Sequence, residues 1–452
     1  MTQRTTMKLI PALLLVAFSG AASASGFQLL EQNLSGLGYA YAGSAAVAEN
    51  ASTIYFNPAG MTQLQDREVS GGLAAIGPSF KFKDHGSRVG ANPPSFSAGG
   101  LMGTGNGGDA GSWAAVPNGY ISWALTKDLY VGLGVNAPFG LVTEYDDRWV
   151  GAAQSIKFDL ETININPSLA FRINDKVSIG AGLNWQRVKA EYVRLAATVA
   201  AAPIGTLADN VISTMKLEDD AWGWNAGALF TLSPTTKVGV SYRSKVKYQA
   251  TGDVALSGDG TPGSATAASL MSQGGYASDL KASLTMPDTA ILSVTQKLDS
   301  KWEMLGDVSW TGWSSIPKVD IMRTSGPRSS NPATAKAQTL GTDFKDAWRV
   351  ALGANYTLND AWKLKFGVAY DQTPVKNASS RLTALPDNDR IWFTTGAQWI
   401  PSKDSKVDFG LAYIHVKDDK INNDQSLDGR GTVAGDYTGH IWVLGAQYSM
   451  SF

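Results

Sequence analysis

From residue 438 to residue 452 the sequence changes character at every step. Trp442, Leu444, Ala446, Tyr448, Met450 and Phe452 fall on one face of an extended chain, with Ile441, Val443, Gly445, Gln447, Ser449 and Ser451 on the other. Only a strand sorts alternate residues in this way; a helix would scatter them around its axis. The pattern returns at 362–371, where Trp362, Leu364, Phe366, Val368 and Tyr370 oppose Lys363, Lys365, Gly367, Ala369 and Asp371. It returns again at 301–310, which sets Trp302, Met304, Val308 and Trp310 against Lys301, Glu303, Asp307 and Ser309. Aromatic residues flank each apolar stripe. A wall with lipid on one side and a polar lumen on the other must alternate like this, with aromatic girdles at the two interfaces.

Composition supports the same class. The 452 residues include 48 Gly, 14 Trp and 15 Tyr, with 17% charged and a mean hydropathy of -0.10, whereas a soluble domain carries about 25% charged residues. A large soluble antiparallel β-protein is the structural rival, but tryptophans along every stripe would leave it prone to aggregate. A net charge of -1 argues against nucleic acid as partner. The absence of cysteine excludes a disulfide scaffold and a thiolate metal site. Residues 1–24 read as a secretory signal peptide, with Arg4 and Lys8, an apolar run from Leu9 to Phe18, and a small-residue exit at Ala22-Ser23-Ala24. That run is too short to span a bilayer as a helix.

The alternation predicts strands at about 67–82, 116–126, 128–139, 156–174, 177–195, 220–233, 236–252, 279–298, 301–316, 343–358, 361–373, 388–400, 405–417 and 438–452. These are fourteen strands of an antiparallel transmembrane β-barrel occupying 67–452. Tight turns fall at Thr126-Lys127-Asp128, Asn174-Asp175-Lys176, Ser233-Pro234-Thr235, Asp299-Ser300, Asn359-Asp360 and Pro401 to Asp404. Long links alternate with them at 83–115, 140–155, 196–219, 253–278, 317–342, 374–387 and 418–437. Short periplasmic turns and long outer loops mark a bacterial outer-membrane barrel.

Residues 25–66 do not alternate. Phe27, Leu29, Leu30, Leu34, Leu37, Tyr39, Tyr41, Ile54, Tyr55 and Phe56 make the segment too apolar for a solvated tail, so it reads as a hatch or plug folded into the lumen. Here Gly26-Phe27-Gln28-Leu29, Ser35-Gly36-Leu37-Gly38, Tyr41-Ala42-Gly43 and Asn57-Pro58-Ala59 resemble the start of the FadL family of outer-membrane long-chain fatty acid transporters. The resemblance continues through Asp159-Leu160-Glu161-Thr162, Phe344 to Arg349, and Pro386-Asp387-Asn388-Asp389-Arg390, and covers the whole mature chain.

That resemblance implies a fourteen-stranded barrel closed by a hatch, acting as a monomer among lipopolysaccharide and outer-membrane lipids. It implies capture of a hydrophobic solute by outer loops, an interior pocket against the hatch, and lateral exit at a kink in the third strand. The third strand runs Val131 to Val135 and is interrupted by Asn136, Ala137, Pro138, Phe139 and Gly140; on the residues alone it either ends there or kinks. The hatch motif Asn57, Pro58 and Ala59 would be its neighbour. Candidate residues of a capture groove are Ile204, Leu207, Val211, Ile212 and Met215, a partial helical stripe, with Leu256, Leu270 and Met271; packing of the two loops on each other explains them equally.

A fatty acid's carboxylate calls for a cation. The family uses an Arg on the fifth strand and a Lys beyond the ninth, where this chain has Tyr192 and Leu340. Alternation places Ser178, Asn184, Gln186, Tyr192 and Arg194 on the lumen face, so Tyr192, Arg194 and Lys336 are the carboxylate-binding candidates, against the alternative of solvated loop-base charge. His85, His415 and His440 do not make an acyl-transfer site; no catalysis, cofactor or metal is expected. The acidic groups Glu144, Asp146 and Asp147, then Glu218, Asp219 and Asp220, then Asp418 and Asp419 suit either divalent ions at the lipopolysaccharide surface or simple solubility. Aromatic hydrocarbons are the alternative substrate; a general porin and a lipid-modifying enzyme are the remaining rivals.

Overall fold

A computed structural model describes residues 26–88, 104–201, 206–258, 278–332, 335–428 and 430–452. The described strands are β1 (Arg67–Asp84), β2 (Ala114–Ala124), β3 (Leu129–Asn136), β4 (Gly140–Glu144), β5 (Lys157–Asn174), β6 (Val177–Ala201), β7 (Thr206–Ser233), β8 (Thr236–Arg243), β9 (Val246–Gly258) and β10 (Ser278–Met286). They continue with β11 (Thr289–Lys297), β12 (Trp302–Thr311), β13 (Val319–Arg323), β14 (Lys336–Leu340), β15 (Ala347–Asn359), β16 (Trp362–Asp371), β17 (Arg390–Ser402), β18 (Ser405–Asp424) and β19 (Thr432–Ser451).

Neighbours in sequence pair antiparallel, and β1 pairs with β19 from Glu68↔Ser451 to Asp84↔Gly435, which closes the sheet into a barrel. Five pairs of segments are successive parts of one stave: β3 with β4, β8 with β9, β10 with β11, β12 with β13, and β14 with β15. Fourteen staves result. At one end the turns are tight because side chains build them: Asn174, Asp299 and Asn359 each accept two backbone N–H bonds from the next few residues.

The outward face is apolar, with Leu169, Leu183, Leu292, Leu352, Val368 and Leu444 exposed to the surroundings. Aromatic residues fringe it below (Trp123, Trp302, Trp362, Trp399, Tyr448) and above (Trp113, Trp222, Trp348, Tyr370, Trp442). The lumen face is polar and buried, including Asn184, Ser293, Asp307, Lys365 and Asp408.

Above the upper fringe the wall inverts. On β7 the outward residues pass from Trp224 and Trp222 to Asp220, Glu218 and Lys216, while the inward ones pass from Asn225 to Leu217 and Met215. On β5 the inward residues pass likewise from Ser168, Asn166 and Asn164 to Leu160 and Phe158. Once a stave leaves lipid its outside meets water, so the apolar residues move inside. The ladders also run further than expected. The link 196–219 lies mostly in the β6/β7 ladder, so Leu207, Val211, Ile212 and Met215 are on a strand and not on a helical stripe. β13 and β14 pair within 317–342, and β18 and β19 reach into 418–437. Conversely, the expected strands 236–252 and 279–298 are each interrupted, at 244–245 and 287–288.

Residues 26–66 lie inside the barrel as turns, short 3-10 segments and one helical turn, α1 (Thr53–Phe56). The lumen's polar residues hold them. Asp307 accepts from Ser44 (Oγ, 2.8 Å), Arg349 donates to the Ala40 carbonyl (2.6 Å), and Gln447 accepts from Leu34 N–H (2.9 Å). Lys365 reaches the Ser35 carbonyl (2.8 Å). Close approach needs bare backbone on the wall: a Cβ at Gly239 would collide with the Ala45 carbonyl, one at Gly367 with Tyr39, and one at Gly445 with Leu34.

Candidate functional site

The third stave is interrupted at 137–139, between Asn136↔Asn164 and Gly140↔Glu161, so that β5 presents two residues, Thr162 and Ile163, opposite three. This is a bulge of one extra residue, and it swaps the faces: Leu133 of β3 points outward, whereas Leu141 of β4 joins an interior cluster. The ladder between β2 and β3 stops at Gly119↔Val135, and β4 pairs only with β5. A gap therefore separates β4 from the outer half of β2. It is bridged by packing of Ala114 on Val142, and above by Ala110, which donates to Phe80 and accepts from Glu144.

Backbone groups in the bulge cannot be left unpaired beside lipid. Residues 26–32 satisfy them from inside: Leu29 N–H donates to the Pro138 carbonyl (2.8 Å), Gly140 N–H to the Phe27 carbonyl (2.9 Å), and the Gln32 amide to the Ala137 carbonyl (2.7 Å). The Thr162 hydroxyl serves both backbone groups of Phe139 (2.9 and 2.6 Å). Asn136 is fully buried, donating to the Tyr120 hydroxyl (3.2 Å) and accepting from Asn164 (3.1 Å). Asn118, on the gap side of β2, has neither amide atom paired. Residues 27–29 thus form a strap across the break; Glu31, two residues on, is buried, and burial pushes its pKa up to about 7.

Asn57 caps the 3-10 segment Pro58–Gln63 by accepting from Ala59 N–H (3.1 Å), and it donates to the carbonyls of Ala45 (2.7 Å) and Ala228 (3.0 Å). Pro58 and Ala59 press against Gly180 of β6. These three residues thus fasten the segment to β6 and β7, while Phe27, Leu29 and Gln32 hold the break.

Above the strap lies a second apolar cluster. Phe27 meets Phe139 edge-on at 6.0 Å and Trp313 at 4.7 Å, and Trp313 meets Phe344 at 5.8 Å. Phe158 and Tyr192 (5.8 Å apart), Leu160, Met215 and Tyr248 complete its wall. Below, Gln28, Tyr55, Arg243 and Arg349 border a cavity of about 40 Å³, room for one or two waters and far below the roughly 300 Å³ of a small-molecule pocket.

A polar rim faces this cluster. Tyr192 donates to the Gln154 carbonyl and receives the Gln338 amide (3.4 Å). Arg194 donates to the carbonyls of Leu195 (3.1 Å) and Ala337 (3.5 Å), and its Nε has no partner. Oε1 of Gln154 and Gln338 and the Ser155 hydroxyl are also buried without partners. Lys336 departs from the set: it is about half exposed and pairs with Asp320 at 3.4 Å. Leu340 is buried in the apolar cluster.

Among the groove candidates, Ile212 is half-buried and Leu256 and Met215 are buried on strands. Leu207 and Val211 lie on β7, and Ile204, Leu270 and Met271 lie outside the described residues, as do 1–25. His415 and His440 pair across β18 and β19, and His85 meets Asp436 at 3.1 Å. Among the described residues no group of three or more His, Cys, Asp or Glu is placed to hold a metal ion.

Comparison with known proteins agrees with this architecture. The chain is 29% identical to the long-chain fatty acid transport protein of Escherichia coli (strain K12) over 481 residues, covering 100% of both. It is 31% identical to outer membrane protein P1 of Haemophilus influenzae over 478 residues, covering 98% of both. Among solved structures it is similar to a Pseudomonas aeruginosa FadL homologue, with a TM-score of 0.82 and 23% identity over 95% of this chain and 100% of that one. The Pseudomonas putida toluene transporter TodX gives a TM-score of 0.64 at 16% identity over 93% and 99%. Residues 15–452 match the family described as outer membrane protein transport protein (OMPP1/FadL/TodX), and with a closed barrel, an occupied lumen and a broken third stave, the chain belongs to that family of the Gram-negative outer membrane.

Proposed function

We propose that this barrel takes up hydrophobic compounds, foremost long-chain fatty acids, by diffusion from the outer loops into the apolar cluster and then sideways into the membrane at 137–139. Residues 25–66 act as the hatch that denies water a direct path. The observation that carries this reading is the break itself: a bulge whose backbone is satisfied by the hatch and Thr162, opening on one side toward β2 and on the other toward Phe27, Phe139 and Trp313. An apolar solute gains nothing from a water-filled pore, whereas lateral escape keeps it in apolar surroundings throughout. The apolar residues Ile212, Met215 and Leu256, toward the outer end of the β7/β9 ladder, suit capture.

Arg194, with Tyr192, Gln154, Ser155 and Gln338 around it, would receive the carboxylate. Its unpaired Nε and the unpaired Ser155 hydroxyl, both donors that a carboxylate can satisfy, support this. Fatty acids are favoured over aromatic hydrocarbons by the names of the full-length relatives and by this rim, which a toluene-like solute would leave unsatisfied. Direct competition between oleate and toluene for binding separates the two. For the route, Pro138→Thr with Gly140→Val restores a ladder donor and places β-branched residues at the break, which favours pairing there. Uptake of labelled oleate into cells should then fall at least tenfold while binding to purified protein persists; undiminished uptake would defeat the lateral exit.

A further inference from the structure

We infer that Gln28 is the latch of the strap formed by Phe27, Gln28 and Leu29. The strap pairs with the wall break through only two backbone bonds, Leu29 N–H to Pro138 (2.8 Å) and Gly140 N–H to Phe27 (2.9 Å), around the bridge Gln28↔Phe139. Its side chains alternate as in a strand, so Phe27 and Leu29 pack into apolar clusters while Gln28 is thrown toward the opposite wall. There its Nε2 donates to the Thr289 hydroxyl (3.3 Å) and its Oε1 accepts from the Thr311 hydroxyl (3.2 Å). Thr289 and Thr311 face each other across β11 and β12, beside the interruption at 287–288. One half-buried amide therefore ties the break in the third stave to the far side of the barrel.

The cavity of about 40 Å³ bordering Gln28 gives the amide somewhere to go. Two backbone bonds and the two of Gln28 tie the strap directly to the wall, beside the Gln32 amide, which links the Leu29 carbonyl (2.8 Å) to the break. Each neutral bond is modest, so losing the two of Gln28 leaves the hatch seated but shifts how often the strap lifts. Gln28 is thus a positioning residue, acting on transport through the strap, and this inference rests on the lateral-exit reading above.

Hydrogen exchange of the Leu29 and Gly140 amides in detergent micelles tests it apart from transport. In Gln28→Leu, and equally in Thr289→Val with Thr311→Val, both amides should exchange on the order of tenfold faster. Thr289→Ser with Thr311→Ser keeps the hydroxyls and should exchange like the parent, which also controls for folding. Unchanged exchange in both the Leu and Val variants would overturn the latch, as would an altered oleate affinity with unchanged exchange, which would place Gln28 on the substrate instead. Uptake at saturating oleate should rise with exchange; faster exchange with unaltered uptake leaves the latch standing and counts against the lateral exit.

Discussion

Glu31 is buried in the hatch with one carboxylate oxygen unpartnered, two residues beyond the strap. Burial raises its pKa from 4.5 to about 7, against the opposing pull of local backbone bonds and of Arg390 and Arg349. A carboxyl group whose pKa is higher when folded favours the native state at low pH. Its contribution is whole below about pH 4.5 and is lost as pH rises through 7. Glu31→Gln should therefore be more stable than the parent at pH 8 by on the order of 3 kcal/mol, and the two should converge near pH 4.5. Denaturant unfolding in micelles, followed by tryptophan fluorescence, checks this; a difference independent of pH would refute it. At this scale, alternation made the inward direction of Asn184, Gln186, Tyr192 and Arg194 legible in the sequence. It left their partners hidden: Gln338 reaches Tyr192 only once the wall has closed, and Asp320 captures Lys336 across the β13/β14 pairing.

The broken staves show why strand limits were harder to read than strand number. On β8 and β9 the even-numbered residues Val238, Val240, Tyr242, Val246, Tyr248 and Ala250 run on as one apolar series, which reads as a single strand. The break at 244–245 turns the first part outward to lipid and the second inward to the apolar cluster. Nothing in Ser244-Lys245 announces this, whereas Pro287 does mark the matching break between β10 and β11. The unbroken β6 and β7 change sense in sequence instead, which made their outer ladder look like a loop.

The bare glycine positions were equally mute, because their reason lies across the lumen. Gly239→Val would drive a side chain into Ala45 and strain the adjoining bonds of Ser44 to Asp307 and Ala45 to Ser293. It should lower stability by about 2 kcal/mol. Gly341→Ala, with nothing within 4 Å of the new Cβ, should leave stability unchanged. Coincident unfolding midpoints for the two variants would contradict this account.

For the molecule as a whole, the hatch and barrel are joined by charge as well as by fit. Lys365 is buried between Glu49 of the hatch and Asp408 of β18, at 2.9 Å from each, and Tyr39 also donates to Glu49 (2.9 Å). Removing the cation leaves two buried carboxylates facing each other, a loss of about 3–5 kcal/mol. Planar-bilayer recordings of Lys365→Met should show intermittent ion conductance where the parent shows almost none; a silent variant would mean that the remaining bonds seat the hatch alone. A general porin would conduct without any substitution. The wall break carries a further consequence, for biogenesis. The carbonyls of Ala137 and Pro138 and the amide of Gly140 find partners only in residues 27–32, so this stretch of wall is chemically complete only with the N-terminus already in place. The order of assembly is thereby constrained: residues 27–32 must be folded inward before β19 seals against β1, and a chain inserted in the reverse order would expose bare peptide groups to the bilayer at 137–140.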